Sequence, residues 1–445
     1  MKILLINPPR SPENMILASA PEEAKYFIHK KLIGPPLGLL TVAAAVKDHD
    51  VTVFDTKGEY DLNPDAPPLD KMVEDLLERT KPDVVGVTII TSELYDSLDI
   101  FRTVKKFNPS IVTVAGGLHT TLCPQEMNDP DIDVVCPGHS AFIFREVIRV
   151  LEKNQSLETV KGIYLNNEKG FHSTGLSPVV YDPADEHFLM PDRSHLEKWR
   201  STYVVGKSPG PTTYLFTSLG CPYQCTFCSI WVEHGGRYFQ RQVESVIKEL
   251  KLIDYDIVRF SDANSVVNIS FMDKLFDRIN EEGIRKEYIM DIRADTAVNH
   301  PRLIEKMAKA GLKVVITGFE SFRDDELKKY NKRSEAKMIH KAIDIFHDND
   351  ILLRGNYVVP NDYDEDDFKA LAEYAHSHKV TYAGYTILTP MPGTVFYNQV
   401  KDQIIDHDYN KYNFFNSVMK TKLPLEKFYE NMGKLWLIKK GTDVI

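Results

Sequence analysis

The stretch SLGCPYQCTFCSIW, residues 218–231, decides how the rest of the chain is interpreted. It holds three of the five cysteines in 445 residues, Cys221, Cys225 and Cys228, in the spacing C-x3-C-x2-C. Free cysteines are often buried as small apolar side chains, but the Pro-Tyr-Gln segment between the first two predicts an irregular loop. Three thiols gathered in one loop therefore predict a metal site.

Two kinds of metal site stay open from the spacing alone. Structural zinc takes four protein ligands, so a fourth would have to come from Cys123, Cys136 or His234. An iron–sulfur cluster is held by thiolates, and three of them would leave one iron open. An open metal position indicates chemistry rather than scaffolding, as it does for zinc enzymes.

Downstream of this stretch, strand-like and helix-like segments alternate six times. The predicted strands are 214–220, 257–262, 288–295, 313–320, 352–359 and 382–390, and the helices between them are 242–252, 271–283, 301–310, 334–348 and 366–378. Six such units predict a partial (β/α)6 barrel over 213–397. Barrel chemistry takes place at the carboxyl ends of the strands. The polar residues there are Asp262, Arg293, Asp295, Glu320 and Ser321, each of which is separately consistent with a helix cap or a turn.

Upstream, residues 1–153 predict an α/β domain with a doubly wound, five-stranded parallel sheet. Its strands are 2–7, 51–55, 83–89, 111–117 and 132–136, and its helices are 36–49, 69–80, 97–107 and about 142–153. Ligands of such folds bind at the carboxyl ends of the strands. The residues at those ends are Pro8, Thr88, Gly116, Gly117, His119 and Gly138. Glycines there let backbone approach a large ligand, although each is also consistent with a tight turn.

Two segments outside these domains are less regular. Residues 154–212 predict a linker that contains a hairpin around Asn166–Gly170. Residues 398–445 are rich in aromatic side chains and predict a small helical segment. That segment is equally consistent with a lid over an apolar or aromatic small molecule and with a cap that buries its own core.

Composition excludes several classes of protein. The formal net charge is −10 and no long basic stripe is present, which argues against nucleic acid as the partner. No apolar run approaches the roughly 18 residues of a membrane helix, and the initial run KILLIN is too short for a signal peptide. Few cysteines in an odd number argue against a disulfide framework and favour a reducing, cytoplasmic setting.

The cysteine spacing, with Phe227 just before the last cysteine, resembles the signature of the radical S-adenosylmethionine (SAM) superfamily. The resemblance extends to FSDAN at 260–264, DIRAD at 291–295, AGLKVVITGFES at 310–321 and LTPMPGTVFY at 388–397. It implies a 4Fe-4S cluster on Cys221, Cys225 and Cys228, whose open iron chelates SAM. Reductive cleavage of SAM would then give a 5′-deoxyadenosyl radical that abstracts hydrogen.

The resemblance also assigns roles to the barrel residues. It places Phe227 near the adenine and makes Asp262 and Asn264 acceptors for the methionyl amine. Arg293 would meet the carboxylate or the ribose of SAM. Glu320 and Ser321 would face the ribose or the substrate.

The first domain resembles the cobalamin-binding domain that precedes the barrel in one branch of this superfamily. The matching residues are NPP at 7–9, GPPLGLLTVAAAV at 34–46, GGLHTT at 116–121 and DIDVVCPGHSAF at 131–142. Leu118 replaces a proline of that branch, and Gly138-His139-Ser140 replaces an acidic turn. The D-x-H-x-x-G motif that supplies a cobalt ligand is missing from the sequence, so His119 and His139 are either cobalt ligands or hydrogen-bonded turn histidines.

The resemblance implies a cobalamin-dependent methyltransferase that acts on an unactivated carbon of a small molecule. An electron donor such as flavodoxin or ferredoxin would supply the reducing electron. One alternative is a radical SAM cyclase, rearrangement or carbon–carbon coupling enzyme that transfers no methyl group, with or without bound cobalamin. The other is an iron–sulfur protein with a binding or regulatory role and no catalysis.

Overall fold

The structure is a computed structural model that describes residues 1–25, 28, 34–176, 189–205, 210–380 and 382–437. The chain divides into two units. The first comprises Met1–Ser11, Ile33–Val205 and Val232–His234, and the second comprises Pro12–Leu32, Gly206–Trp231 and Gly235–Ile445. In the described part of the chain, every helix is too short or too polar to cross a membrane.

The first unit is built on a seven-stranded sheet in the order β2-β1-β3-β4-β5-β6-β7. The strands are β1 Lys2–Asn7, β2 Asp50–Asp55, β3 Val84–Thr88, β4 Val112–Gly116, β5 Val134–Cys136, β6 Tyr164–Asn167 and β7 Gly170–Ser173. The α-helices are Leu37–Ala45, Thr56–Leu62, Leu69–Thr80, Leu94–Phe107, Leu118–Leu122 and Ala141–Glu152, and the 3-10 helices are Thr91–Glu93, Pro124–Met127, Leu157–Thr159 and Arg193–Thr202. The first five strands are parallel, which confirms the predicted doubly wound sheet.

The hairpin at 164–173 lies in this sheet and not in a linker. β6 pairs with β5 in antiparallel fashion, with Leu165 opposite Val134. Farther along, the Trp199 ring packs edge-on against Phe54 of β2, with ring centroids 5.1 Å apart. The first unit therefore continues to Val205, past the expected boundary at 153. Residues 177–188 and 206–209 of the expected linker lie outside the described residues.

The second unit contains a six-stranded parallel sheet in the sequential order β8-β11-β12-β13-β14-β15. The strands are β8 Thr212–Leu215, β11 Ile257–Phe260, β12 Glu287–Asp291, β13 Leu312–Glu320, β14 Leu352–Val359 and β15 Tyr382–Ile387, and a separate antiparallel pair is formed by β9 Ser218–Gly220 and β10 Tyr238–Gln240. The α-helices are Met15–Ser19, Glu22–Lys25, Ile230–Glu233, Val243–Leu252, Ile269–Glu281, Ala294–Asn299, Pro301–Lys309, Asp324–Lys329, Ala336–Asp348, Glu365–Ser377, Val395–Val400 and Leu425–Lys434, and the 3-10 helices are Lys401–Gln403 and Tyr409–Lys411. This arrangement confirms the predicted six-unit sheet.

Three details of the second unit differ from the sequence-based expectation. The expected strand 214–220 is two strands, and only β8 joins the large sheet. The helix Met15–Ser19, expected in the first domain, belongs here, and the Met15 N–H donates to Asn416 Oδ1 at 2.9 Å. The aromatic residues of the tail have two different locations. Phe428 and Tyr429 are buried in the core, whereas Phe414 and Phe415 line a cavity.

Candidate active site

The cysteine loop begins at a bend that one buried carboxylate holds. Asp262 Oδ1 accepts hydrogen bonds from the backbone N–H groups of Thr217 and Ser218, at 2.8 and 2.6 Å. The Ser218 hydroxyl donates to the same oxygen at 2.8 Å. Burial raises the pKa of Asp262 to about 6, although these hydrogen bonds act to lower it. This carboxylate therefore fixes the junction between β8 and β9, from which the loop leaves at Gly220.

The loop itself is held by hydrogen bonds from its own backbone. The Thr226 N–H donates to the carbonyl oxygen of Tyr330 at 3.0 Å, and the Trp231 indole N–H donates to the carbonyl oxygen of Cys225 at 2.9 Å. The Phe227 ring lies edge-on to Tyr330, with centroids 5.5 Å apart. Most of these bonds use backbone atoms and none uses a thiol. The loop therefore keeps its shape while the thiols remain available as ligands.

The three thiols suit a cluster better than a single ion. Burial raises the pKa of Cys225 and raises that of Cys228 to about 11, while backbone N–H groups of Ile230 and Trp231 act to lower the latter. Within the described ranges, the one group of three ligand side chains whose donor atoms lie within 4.8 Å of one another is elsewhere in the chain. Three thiols in one loop, without a fourth side chain in that group, fit an iron–sulfur cluster, which is held by thiolates.

A buried ion pair lies beside the loop. Lys332 Nζ lies 2.8 Å from Glu320 Oε1. Burial opposes the charge on Lys332, but Glu320 and Cys225 outweigh it, so the pKa of Lys332 lies above its ordinary value. Glu320 has a left-handed backbone with φ +64°, a strained conformation of the kind that clusters at functional sites.

A second cation contacts the loop directly. The Arg293 guanidinium carbon lies 3.8 Å from the centroid of the Tyr223 ring. Its Nε donates to Asp295 Oδ1 at 2.9 Å, and this pairing outweighs burial and raises the pKa of Arg293. Arg293 and Lys332 thus place two ion pairs beside the loop, with Asp295 and Glu320 as their partners.

The loop ends in a cavity of about 460 Å³, a size typical of small-molecule sites. Phe227 and Cys228 line it on the loop side. The facing wall contains apolar and aromatic side chains of the strand ends and the tail, namely Val358, Tyr385, Leu388, Phe414, Phe415 and Trp436.

A buried donor faces this cavity without a partner. Asn264 is 4% exposed and lines the cavity. Its Oδ1 accepts a long hydrogen bond, 3.4 Å, from the Val266 N–H, and its Nδ2 has no hydrogen-bond partner. Buried polar groups are rarely left unpaired, so this N–H group fits an oxygen of a bound molecule. Asn264 Nδ2 is thus available as a donor toward the cavity, whereas the sequence-based expectation gave this residue as an acceptor.

The sequence-predicted barrel residues fall into two sets. Phe227, Asn264, Arg293 and Glu320 line the cavity with Cys228. Asp262 and Ser321 do not, and their oxygens are used inside the protein.

Ser321 is held on the far side of the strand end. It is 1% exposed, and its hydroxyl donates to the carboxylate of Glu326, which also accepts a bond from the Tyr363 hydroxyl at 3.0 Å. We therefore regard Ser321 and Asp262 as positioning residues rather than as contacts to SAM.

Several cavity residues escaped the sequence analysis. Lys332 lies in a loop, outside every predicted strand end, and Arg354 lies in the middle of β14. For Arg354, the available signal was a lone cation in an otherwise apolar strand. For Lys332 the sequence carried no such signal, because Glu320, the partner of its side chain, lies 12 residues away.

The carboxyl edge of the first sheet is bordered by glycines. Gly117 has φ +102°, and a Cβ there would lie 2.6 Å from the backbone nitrogen of Ile89, so only glycine lets the two loops approach. Around Gly138, with φ +74°, no atom lies within 4 Å of the position of a Cβ. Together with Gly116, these residues form an edge without side chains, which suits the close approach of a large flat ligand. Pro8 and Thr88 follow or end the neighbouring strands.

Of the two histidines at this edge, His119 is buried and His139 is half-buried. His119 is 0% exposed, and its ring nitrogens lie 3.2 Å from Thr91 Oγ1 and 3.3 Å from Glu126 Oε2. His119, Glu126 and Cys123 make the compact group noted above. Glu126 joins its members, through a hydrogen bond with Cys123 and its close approach to the His119 ring. Burial lowers the pKa of His139 to about 4. These contacts favour turn histidines over cobalt ligands.

Comparison with known proteins identifies both halves of the chain. Residues 26–148 match the family model described as a B12 binding domain, and residues 215–375 match the model of the Radical SAM superfamily. An uncharacterized methyltransferase of Pyrococcus horikoshii is 26% identical, over 95% of this chain and 88% of the relative. The hopanoid C-3 methylase of Methylococcus capsulatus is 24% identical, over 90% of this chain and 75% of the relative.

A relative with a different activity and two solved structures are also similar. An anaerobic magnesium-protoporphyrin IX monomethyl ester cyclase of Cereibacter sphaeroides is 25% identical, over 79% of this chain and 58% of the relative. The methyltransferase TsrM of Kitasatospora setae, solved with cobalamin and a [4Fe-4S] cluster, matches with a TM-score of 0.69 at 16% identity, over 97% of this chain and 84% of that one. The enzyme OxsB, solved with aqua-cobalamin and SAM, matches with a TM-score of 0.71 at 15% identity, over 97% and 65%. At these identities the likeness establishes the fold.

Proposed function

Because the chain belongs to the radical SAM superfamily and carries a B12-binding domain, we propose that it is a cobalamin-dependent enzyme that methylates an unactivated carbon of a small molecule. One observation carries this proposal: Phe227 and Cys228 of the cysteine loop line the same cavity as the apolar wall of Val358, Leu388 and Trp436. A cofactor held at the loop and a substrate held against that wall would therefore share one space.

Cys221, Cys225 and Cys228 would hold the cluster, and the cavity side of the loop would hold SAM. When bound, the cluster and SAM supply a radical that abstracts hydrogen, and cobalamin supplies a transferable methyl group. The chain itself would position the bound groups, supply charged side chains beside them and exclude water from the cavity.

Each cavity residue has a definite part in that contribution. Arg293 and Lys332, paired with Asp295 and Glu320, would each hold a charged group in a fixed position beside the cluster. Asn264 Nδ2 donates a hydrogen bond to an oxygen of SAM, and Glu320 presents a carboxylate whose direction Lys332 fixes. The ring of Phe227 and the apolar wall exclude water, which protects a reactive intermediate from side reactions.

The first unit would bind cobalamin at the carboxyl edge of its sheet, where ligands of doubly wound folds bind. We assign this role to Pro8, Thr88, Gly116, Gly117 and Gly138. His119 lies outside this set, because its ring contacts Thr91 through a hydrogen bond and Glu126 through a 3.3 Å approach inside the unit.

The proposal includes a partner and a setting. Reductive cleavage of SAM needs an electron, which a flavodoxin or ferredoxin would supply. Five free cysteines and an iron–sulfur site suit a reducing compartment, so we place the protein in the cytoplasm.

The proposal is tested by anaerobic reconstitution with iron, sulfide and hydroxocobalamin. We expect about four irons per chain, a visible corrin spectrum, and 5′-deoxyadenosine when SAM and a reductant are added. Cys225→Ala should abolish deoxyadenosine formation while keeping the corrin spectrum, because Cys225 lies outside the first unit. Wild-type protein that releases no deoxyadenosine would refute the enzymatic proposal.

A second candidate function is radical cyclisation, rearrangement or carbon–carbon coupling without methyl transfer, which the similarity to a cyclase supports. The mass of the product separates the two. Methylation adds one methylene to the substrate, whereas oxidative cyclisation adds none. Incubation of the reconstituted enzyme with a cell extract and SAM carrying a labelled methyl group detects methylation without knowledge of the substrate.

A further inference from the structure

One cation of the cavity wall, Arg354, forms no ion pair among the residues that the structure describes. Along β14, the odd-numbered Leu353, Tyr357 and Val359 are buried in the core, because alternate strand residues face opposite sides of a sheet. Arg354 and Asn356 lie on the other face and line the cavity. The Arg354 Nε donates to Asn356 Oδ1 at 3.2 Å.

The remaining charges of the cavity wall cancel in pairs. Glu320 pairs with Lys332 at 2.8 Å, and Arg293 pairs with Asp295 at 2.9 Å. These two pairs leave Asp291 and Arg354 as the other charged residues of the wall.

Asp291 forms an ion pair with a different arginine. Arg259 Nη2 lies 2.9 Å from Asp291 Oδ2, and the Arg259 guanidinium also lies over the Tyr214 ring, 5.4 Å from its centroid. Arg354 makes no ion pair with any residue in the described ranges. Among the charged residues that line the cavity, Arg354 is therefore the one without an ion-pair partner in the described part of the chain.

An unpaired charge in such surroundings is costly. Burial and the neighbouring Arg259 lower the pKa of Arg354, yet an arginine stays protonated in proteins. Arg354 is half-buried, and a charge that is largely removed from water is normally paired. A guanidinium also presents a planar fork of donors that matches carboxylate and phosphate oxygens in pairs.

We propose that Arg354 binds an oxyanion, a carboxylate or phosphate group, on an otherwise apolar or aromatic substrate. The inference rests on the proposed function of the cavity and adds the class of its substrate. The anion would lie deep in the barrel against Arg354, and the apolar body would extend along Val358 and Tyr385.

The oxyanion is assigned to the substrate and not to the carboxylate of SAM because of where Arg354 lies. Its electrostatic neighbours, Arg259, Asp291 and Tyr214, all belong to barrel strands. Arg293, in contrast, contacts Tyr223 within the cysteine loop. Two cations thus serve two different parts of the cavity.

Direct binding of three small probes tests the inference. We would titrate the reconstituted holoenzyme, saturated with SAM and without reductant, with 2-naphthoate, 2-naphthyl phosphate and the neutral 2-naphthamide in an anaerobic calorimeter. We expect at least one anion to bind 10-fold or more tightly than the amide, since a hydrogen-bonded charge pair contributes about 1.5–3 kcal/mol. The stronger of the two anions distinguishes carboxylate from phosphate.

The variants decide whether Arg354 is responsible. Arg354→Met, similar in length, should reduce the preference for the anion to about 1-fold while the amide binds within 2-fold of wild type. Arg354→Lys should restore part of the preference, and Arg102→Met, at an exposed helix position, should not change it. A wild-type enzyme without anion preference, or Arg354→Met that keeps the preference, would overturn the inference.

Formation of 5′-deoxyadenosine separates this inference from the proposed function. The release of 5′-deoxyadenosine with a reductant but no substrate is measured for wild type and for Arg354→Met, since the inference requires Arg354 to act on the substrate and not on SAM. Loss of that release would show that Arg354 serves SAM, and the inference would fail while the proposed function stood. If wild type releases none, the proposed function fails and the probe titrations still report on the anion site.

Discussion

Lys332 and Glu320 form a buried salt bridge at the mouth of the cysteine loop, with Nζ and Oε1 2.8 Å apart and only 11% and 12% of the two side chains exposed. Glu320 reaches this position from a left-handed backbone at the end of β13. The pair therefore joins the strand end that faces the cavity to the segment that anchors the loop.

Breaking this pair from one side should be more damaging than removing both charges. Lys332→Met leaves Glu320 buried and unpaired, so we expect the free energy of unfolding to fall by about 3–5 kcal/mol. The double variant Lys332→Met, Glu320→Met should recover at least half of that loss. Urea unfolding of the cluster-free protein measures both values.

An exposed pair provides the control for this comparison. Lys309 and Glu305 lie one helical turn apart on the surface, so Lys309→Met should change the free energy of unfolding by about 0.5 kcal/mol or less. A double variant as unstable as Lys332→Met would contradict the idea that an isolated buried carboxylate causes the loss.

The absence of a side chain at Gly318 should be essential for the position of the Glu320 carboxylate. A Cβ at Gly318 would lie 2.2 Å from Glu320 Oε1 and 3.1 Å from Lys332 Nζ. Gly318→Ala therefore has to displace the Glu320 side chain, and we expect 5′-deoxyadenosine formation to fall at least 10-fold while the chain stays folded. Circular dichroism and iron content check the fold.

Gly38 serves as the matched control. It lies in the helix Leu37–Ala45, and no atom is within 4 Å of the position of a Cβ. Gly38→Ala should leave SAM cleavage unchanged and stabilise the protein by up to about 1 kcal/mol. Normal cleavage in Gly318→Ala would show that the orientation of Glu320 does not matter.

Local sequence patterns were sufficient for most elements. The predicted helix 69–80 and strand 352–359 have the bounds of the observed Leu69–Thr80 and Leu352–Val359. Both carry their signal in their own residues, an amphipathic repeat in the helix and a β-branched or aromatic run in the strand.

Long-range partners explain what the sequence did not reveal. The expected strand 214–220 bends because Asp262, 45 residues away from Thr217, captures its backbone N–H. The 164–173 hairpin gives no local sign that it pairs with β5. The sequence does not distinguish Arg354 from any other cation in a strand. Its special position becomes visible only when the structure shows that Asp291 pairs with Arg259. In each case the deciding interaction joins residues that are far apart in the chain.

The Asp262 carboxylate should control whether the cluster assembles. Asp262→Ala removes the acceptor for the N–H groups of Thr217 and Ser218, and buried donors left unpaired cost about 1–3 kcal/mol each. We expect iron content after reconstitution to fall below about half of wild type. Asp262→Asn keeps one oxygen that can accept both bonds, so most of the iron should be retained. Equal iron content in Asp262→Ala and wild type would exclude this positioning role.

The last prediction concerns acid stability and His139. Burial lowers the pKa of this histidine from its ordinary 6.5 to about 4. Above pH 6.5 the ring is neutral in the folded and the unfolded chain, so its contribution to stability is fully present. Between pH 6.5 and 4 the unfolded chain binds a proton that the folded chain does not. The free energy of unfolding therefore falls with pH, by about 3 kcal/mol over that window.

His139→Asn should remove this pH dependence, because asparagine does not titrate. Urea unfolding at pH 7.5, 6, 5 and 4.5 would show a flatter profile than wild type, with the gain confined to the acidic end. His376→Asn is the control, since His376 is exposed in the helix Glu365–Ser377 and should leave the profile unchanged. An unchanged slope in His139→Asn would mean that the folded protein accommodates a charged His139, which its burial at the carboxyl edge of the first sheet argues against.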